Sequence, residues 1–301
     1  MESSLMKPAA IAAALGSALA ASAVLAAPAL AAEVTIRNAV ARVIVIPEDR
    51  ADVGVEITQG AADLPELRIE RRGDQVRIDG GLGRARGMGG GLIGSCNNSR
   101  ADARQPGDGA TVEVRGKGRI RMEDAPMIVL RTPRDVDVNG GGAVFGSVGR
   151  GARSVDLGSG GCGSWTVANV DGDVDLSVGG SGSIRAGTSR NLEASVGGSG
   201  SVFAGATGRL EANVGGSGNI EVARVDGETE IAIGGSGGVR VRAGRAPLLK
   251  VSIGGSGDVR FEGTAGDVSA AIAGSGDVRV AEATGRVSRS IVGSGDLRIG
   301  R

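Results

Sequence analysis

From Asn139 to Arg301, apolar and polar residues alternate in short runs, and each run stops at a glycine turn. Val174-Asp175-Leu176-Ser177-Val178 and Val251-Ser252-Ile253 are typical. Period-two alternation marks a strand with one buried face. Aligned on the central turn residue, the aliphatic positions fall into columns. Three residues before it stand Val178, Val196, Val214, Ile233, Ile253, Ile272 and Ile291. Three after it stand Trp165, Ile184, Val202, Ile220, Val239, Val259, Val278 and Leu297. Each unit therefore predicts at least two strands meeting at a tight corner. A two-sided and a three-sided coil both satisfy the pattern.

The turn centres are Gly141, Cys162, Ser181, Ser199, Ser217, Ser236, Ser256, Ser275 and Ser294, separated by 21, 19, 18, 18, 19, 20, 19 and 19 residues. A repeat of this length predicts a solenoid, in which a unit buries its apolar face only against its neighbours. The expected fold is all-β: a parallel β-solenoid with about nine clear coils of 18–21 residues, preceded by degenerate N-terminal coils. The turn motif places paired glycines at Gly180 and Gly182, Gly198 and Gly200, Gly216 and Gly218, Gly235 and Gly237, Gly255 and Gly257, Gly274 and Gly276, and Gly293 and Gly295. Glycine suits such corners because it accepts positive φ and close backbone approach.

Upstream, residues 32–82 also alternate, as in Val43-Ile44-Val45-Ile46 and Val76-Arg77-Ile78, and read as first coils or a cap. Residues 83–110 are rich in Gly and Arg without strand period and read as a long loop. Residues 111–301 read as the solenoid. Residues 1–31 have the form of a cleaved export signal: Lys7, an Ala/Leu-rich run from Ile11 to Leu30, and the small-x-small site Ala29-Leu30-Ala31. That run is weakly hydrophobic for a stable membrane span, and no second long apolar run follows. The expected location is the periplasm or the cell surface.

The residues of the turn then carry a resemblance. Gly-Ser-Gly followed by Asp, Ser or Asn and an aliphatic residue, repeated at this spacing behind an export signal, resembles the auto-transporter adhesin, head GIN domain family of exported bacterial proteins. The resemblance spans roughly residues 134–301 and implies a right-handed parallel β-helix and an adhesion-like role, with no catalytic residues to carry over. The chain departs from an autotransporter in showing no barrel-sized segment.

Composition narrows the chemistry. Net charge is zero, which gives nucleic acid no basic footprint. There is no His, so the commonest general base and zinc ligand are missing. Gly234-Gly235-Ser236-Gly237-Gly238 fits G-x-S-x-G in form, but a nucleophile elbow needs a His partner and the Ser recurs from coil to coil. A polysaccharide lyase or hydrolase would want aromatic platforms and a cleft, and this chain has one Trp, three Phe and no Tyr. The reading is a non-enzyme. In an exported chain Cys96 and Cys162 are candidates for a disulfide, with two free buried thiols as the alternative.

Two outward columns carry charge. Six residues before the turn centre stand Asp135, Asp156, Asp175, Glu193, Glu211 and Glu230, an acidic ladder suited to Ca²⁺ or a basic partner surface, or simply to solvent. Arg209 is a candidate counter-charge. Arg240, Arg260, Arg279 and Arg298 form a basic column suited to an anionic envelope glycan, with Asp258, Asp277 and Asp296 two residues earlier as lattice partners. Arg84, Arg86, Arg100 and Arg104 could add to it. No cofactor is expected beyond Ca²⁺. The partner is an envelope glycan, a protein surface or, by self-association, a second copy.

Overall fold

The structure, a computed structural model, describes residues 32–83, 91–97 and 105–300. The export-signal segment and the four loop arginines therefore lie outside the described residues. The described chain is a parallel β-solenoid. Its only helical piece is a single 3₁₀ turn, Met122–Asp124.

The coil has three sides. In one turn of the solenoid, Asp173–Val178 forms the long side and Ser183–Ala186 the medium side. The third side is two residues wide, with Ala206 and Thr207 beside Arg224 and Val225, and Arg245 and Ala246 beside Thr264 and Ala265. The inward column three residues before the turn runs in register from coil to coil. Val196 pairs with Val214, Val214 with Ile233, Ile233 with Ile253 and Ile253 with Ile272. These side chains are essentially fully buried. Each rung thus completes the core of the one before it.

The largest core residue, Trp165, fits because two neighbours lack side chains. A Cβ built at Gly146 would lie 2.2 Å from the Trp165 ring, and one at Gly140 would lie 3.0 Å from it. The motif glycines answer to a different need from the one their sequence context suggests. Of the fourteen, only Gly293 has positive φ. The rest are required by contact between coils. A Cβ at Gly218 or Gly237 would fall 2.0 or 1.9 Å from the carbonyl oxygen of the glycine one coil earlier.

Nine coils follow one another in sequence from Asp135, and the two rungs before them are laid down out of order. Glu33–Pro47 stacks directly on Asp135–Val148. The next rung outward is made from two separate strands, Gln75–Asp79 and Met127–Thr132, both parallel to Glu33–Pro47. Antiparallel strands Arg68–Arg72 and Gly54–Thr58 close that end. Arg68, Glu70, Arg71 and Arg72 are all exposed on the outermost strand, and such charges blunt an open edge.

Residues 93–97 and 111–121 depart from the sequence reading. Ile93–Asn97 is a strand despite its lack of period, and it pairs with Thr111–Val114, which pairs with Gly118–Arg121. This three-stranded antiparallel sheet stands beside the solenoid and is not one of its coils. It covers a second core of Val40, Val112, Val114, Met122, Ala143 and Phe145. A Cys96–Cys162 disulfide, with Cα atoms 5.6 Å apart, ties the sheet to a solenoid turn.

The other end of the described stack is a bare rung, Val287–Gly293 and Leu297–Ile299. The inward column that reads Leu157, Leu176, Ala194, Ala212, Ile231, Val251 and Ala270 ends here in an exposed Arg289.

Candidate functional site

The long side carries the acidic ladder. In register, Asp156, Asp175, Glu193, Glu211 and Glu230 stand one above the other, as their spacing predicts. Asp135 does not belong to this column. Asp137 stands beside Asp156, and Glu33 beside Asp137, while Asp135 sits opposite Ser154. The reason is coil length. The coil around Gly141 has two extra residues, so counting back from its turn lands two positions short. The signal that identifies Asp137 is Val136-Asp137-Val138, whose apolar residues fall in line with Val155 and Leu157. Glu33 lies too far away in sequence to be found by counting.

Seven carboxylates therefore line one wall over roughly 30 Å at strand spacing. Only one end meets a cation. The Gln75 amide donates to Glu33 Oε2 at 2.8 Å, and Lys250 Nζ lies 2.5 Å from Glu230 Oε1. Asp137 and Glu211 each receive a neutral amide, from Asn139 and Asn213. Among the described residues, Glu33, Asp137, Asp156, Asp175, Glu193 and Glu211 have no cationic partner. Arg209 turns instead to Glu228, 3.0 Å away. Asp135 bonds the Arg153 guanidinium, which holds its carboxyl below the usual range.

This crowding moves protons. Burial, then the charges of Asp156 and Glu33, push Asp137 up to about 6. Burial, then Asp156, Glu193 and Glu211, push Asp175 up to about 6. Burial and Glu33 raise Asp156. A carboxylate that binds its proton more tightly when folded stabilises the fold at low pH and loses that contribution as pH rises through its folded pKa. The thermal midpoint in low salt is therefore expected to fall by a few degrees between pH 5 and pH 8. Asp175→Asn is expected to raise the midpoint at pH 8 and flatten the profile. A profile equally steep in the variant removes the ladder as its source. Below about pH 4 the lowered groups, including Asp135 and Asp226, act in the opposite sense.

The ladder does not fit a calcium chelate. Ca²⁺ takes six to eight oxygens converging at about 2.3–2.6 Å. These carboxylates stand side by side on an open wall, and no group of three or more such side chains among the described residues converges on a metal position. The groove beside them, about 490 Å³, is shallow and bordered by Asp137, Asp156, Asp175, Glu193 and Arg209.

The basic column lies on the medium side and stacks in the predicted register: Arg240 on Arg260, Arg260 on Arg279, Arg279 on Arg298. The expected Asp/Arg lattice forms only in part. Arg298 bonds Asp296 at 2.9 Å, while Arg279 is 3.9 Å from Asp277. Asp258 and Asp277 mainly accept backbone N–H groups from the next coil, at 2.9 and 3.1 Å. Arg240 pairs with Glu262 at 2.6 Å.

The class defined by this geometry is a parallel β-solenoid that presents charged, flat-sided ladders around a filled core. Residues 205–300 match the family model described as "Putative auto-transporter adhesin, head GIN domain". No curated protein matches the chain. Among solved structures, one described as a "Putative lipid binding protein" from Parabacteroides distasonis aligns with a TM-score of 0.53 at 19% identity, over 90% of this chain and 93% of that one. That likeness is one of fold. No helix among the described residues is long and apolar enough to cross a membrane.

Proposed function

We propose that this chain is an exported, non-enzymatic β-solenoid of the cell envelope that acts as an adhesion-like surface module. The observation that carries the reading is the register of outward side chains. Coil after coil places like residues at one strand spacing, so the protein offers extended walls to a partner rather than a cleft to a substrate. The adhesin-head match over residues 205–300 supports the same reading. Raised carboxylate pKa values also occur in general acids, but here they lie on an open wall. A buried lipid has no room, because Val, Leu, Ile and Trp165 side chains fill the space between the sides.

The test is fractionation and binding. An epitope-tagged chain is expected in the envelope fraction, with a mature mass that lacks the leader. The purified protein is expected to bind envelope material without altering it. Retention in the cytoplasm at full mass, or turnover of an envelope polymer, overturns the reading.

The acidic wall favours a basic protein surface as one partner, since six of its seven carboxylates lack a cation. Self-association is the weaker reading, because Arg289 places a charge over the core at the bare rung. Inward charges of this kind oppose edge-to-edge pairing. Arg289→Leu is expected to make sedimentation velocity concentration-dependent, helped by exposed Val287 and Val292, while the parent chain sediments as one species over the same range. Identical behaviour of the two removes Arg289 from this role.

A further inference from the structure

The outward column next to the arginines reads Ser183, Ser201, Asn219, Gly238, Asp258, Asp277 and Asp296 from coil to coil. Gly238 alone in that series has no side chain. Its absence opens a notch of about 250 Å³ between Asn219 and Asp258, bordered by Arg240, Arg260 and Arg279. The volume suits one sugar ring.

The groups around the notch are incompletely satisfied. Arg260 makes no ion pair or side-chain hydrogen bond among the described residues, and Arg240 and Arg279 occupy the same position in the coils on either side of it. Like charges at strand spacing repel, so an anion placed there is stabilised. The Arg240 guanidinium is held by Glu262 through Nη2, while its Nε is buried with no acceptor. Guanidinium groups match carboxylate and phosphate geometry through paired donors. The notch also carries acceptors. Asp258 uses Oδ1 on the Asp277 amide, and Asn219 uses Oδ1 on the Gly238 amide. The second Asp258 oxygen remains for a hydroxyl. A bare anion would meet the Asp258 and Asp277 carboxylates unfavourably, whereas a ligand with both an acid group and hydroxyls answers both sets.

We infer that the Gly238 notch is a binding subsite for an acidic sugar unit, its acid group on Arg260 and Arg240 and its hydroxyls on Asp258 and Asn219. This deepens the surface-module reading by naming a ligand class, and rests on it. Arg260 and Gly238 are separable tests, because one supplies charge and the other supplies space. Gly238→Ser restores the residue type of Ser183 and Ser201, and a Cβ there comes no nearer than 3.3 Å to another atom, so the variant is expected to fold.

Calorimetric titration with an oligogalacturonate, a neutral galactose oligomer and inorganic phosphate decides the matter. The folded protein is expected to bind the oligogalacturonate and to ignore the neutral oligomer. Arg260→Gln and Gly238→Ser are each expected to weaken that binding at least tenfold with thermal midpoints unchanged. Three results overturn the subsite: no binding of the acidic oligomer, equal binding of the neutral one, or full binding by Gly238→Ser. Inorganic phosphate binding as tightly as the oligomer also overturns it, in favour of a simple anion site. The export and envelope-binding assays are independent of this outcome, so failure of the notch is distinguishable from failure of the surface-module reading.

Discussion

Gly237→Ala is expected to destabilise the protein by more than ~3 kcal/mol, while Gly234→Ala in the same coil changes stability by under ~0.5 kcal/mol. The two glycines are three residues apart in one turn and differ in what surrounds them. A Cβ at Gly237 would fall 1.9 Å from the Gly218 carbonyl oxygen and 2.7 Å from Val214 Cγ1. The first of these is backbone and has nowhere to go. To accept a methyl group, two rungs must separate, and the separation breaks the inter-coil bond from the Gly237 amide to the Gly216 carbonyl. A Cβ at Gly234 meets nothing within 4 Å. Neither residue has positive φ, so backbone freedom does not distinguish them. Urea unfolding of both variants measures the contrast. Equal losses would show that stacking distance is not what selects glycine at these corners.

Removing the disulfide has the second large effect. Cys96 and Cys162 close a loop with a sequence separation of 66 residues, and opening it gives back about 4 kcal/mol of chain entropy to the unfolded state. Cys96→Ala/Cys162→Ala is expected to lose stability on that order. The loss is also expected to be local at first. The sheet of Ile93–Asn97, Thr111–Val114 and Gly118–Arg121 makes no strand pairing with the solenoid, and rests on it through the core around Met122 and Phe145 and through the disulfide. Hydrogen exchange is expected to accelerate in residues 111–121 of the double variant while the amides of the coils after Asp173 stay protected. Uniform acceleration along the chain would place the bond's contribution in the solenoid itself.

Much of the molecule was legible from the repeat. The inward columns from Val174 onward follow from alternation, because a strand's side-chain period is local and independent of its partners. The arginine column stacks as counted because the coils from Ser236 to Ser294 differ by one residue at most. The pairing of Cys96 with Cys162 was one of two alternatives left open, and the chain takes it. The first member of the acidic ladder was misplaced for the same reason that the others were found. Register was carried from turn to turn, and the coil at Gly141 is longer than its neighbours. Sequence analysis met Gly238 only in a formal G-x-S-x-G match, and gave no sign of the unpaired Arg240 Nε near it.

Taken alone, the order of residues determined that the chain stacks, which side chains of the regular coils face inward, and where the glycine corner of each coil falls. All three depend on periods of two and of about nineteen residues, which are local quantities. Tertiary structure decided the remainder. It inserted Glu33–Pro47 between a rung built from Gln75–Asp79 and Met127–Thr132 and the coil beginning at Asp135, and it made Asp137 the neighbour of Asp156. It also gave the coil its short third side. These features are set by backbone hydrogen bonds between segments far apart in the chain, and such pairings leave no periodic trace in either partner.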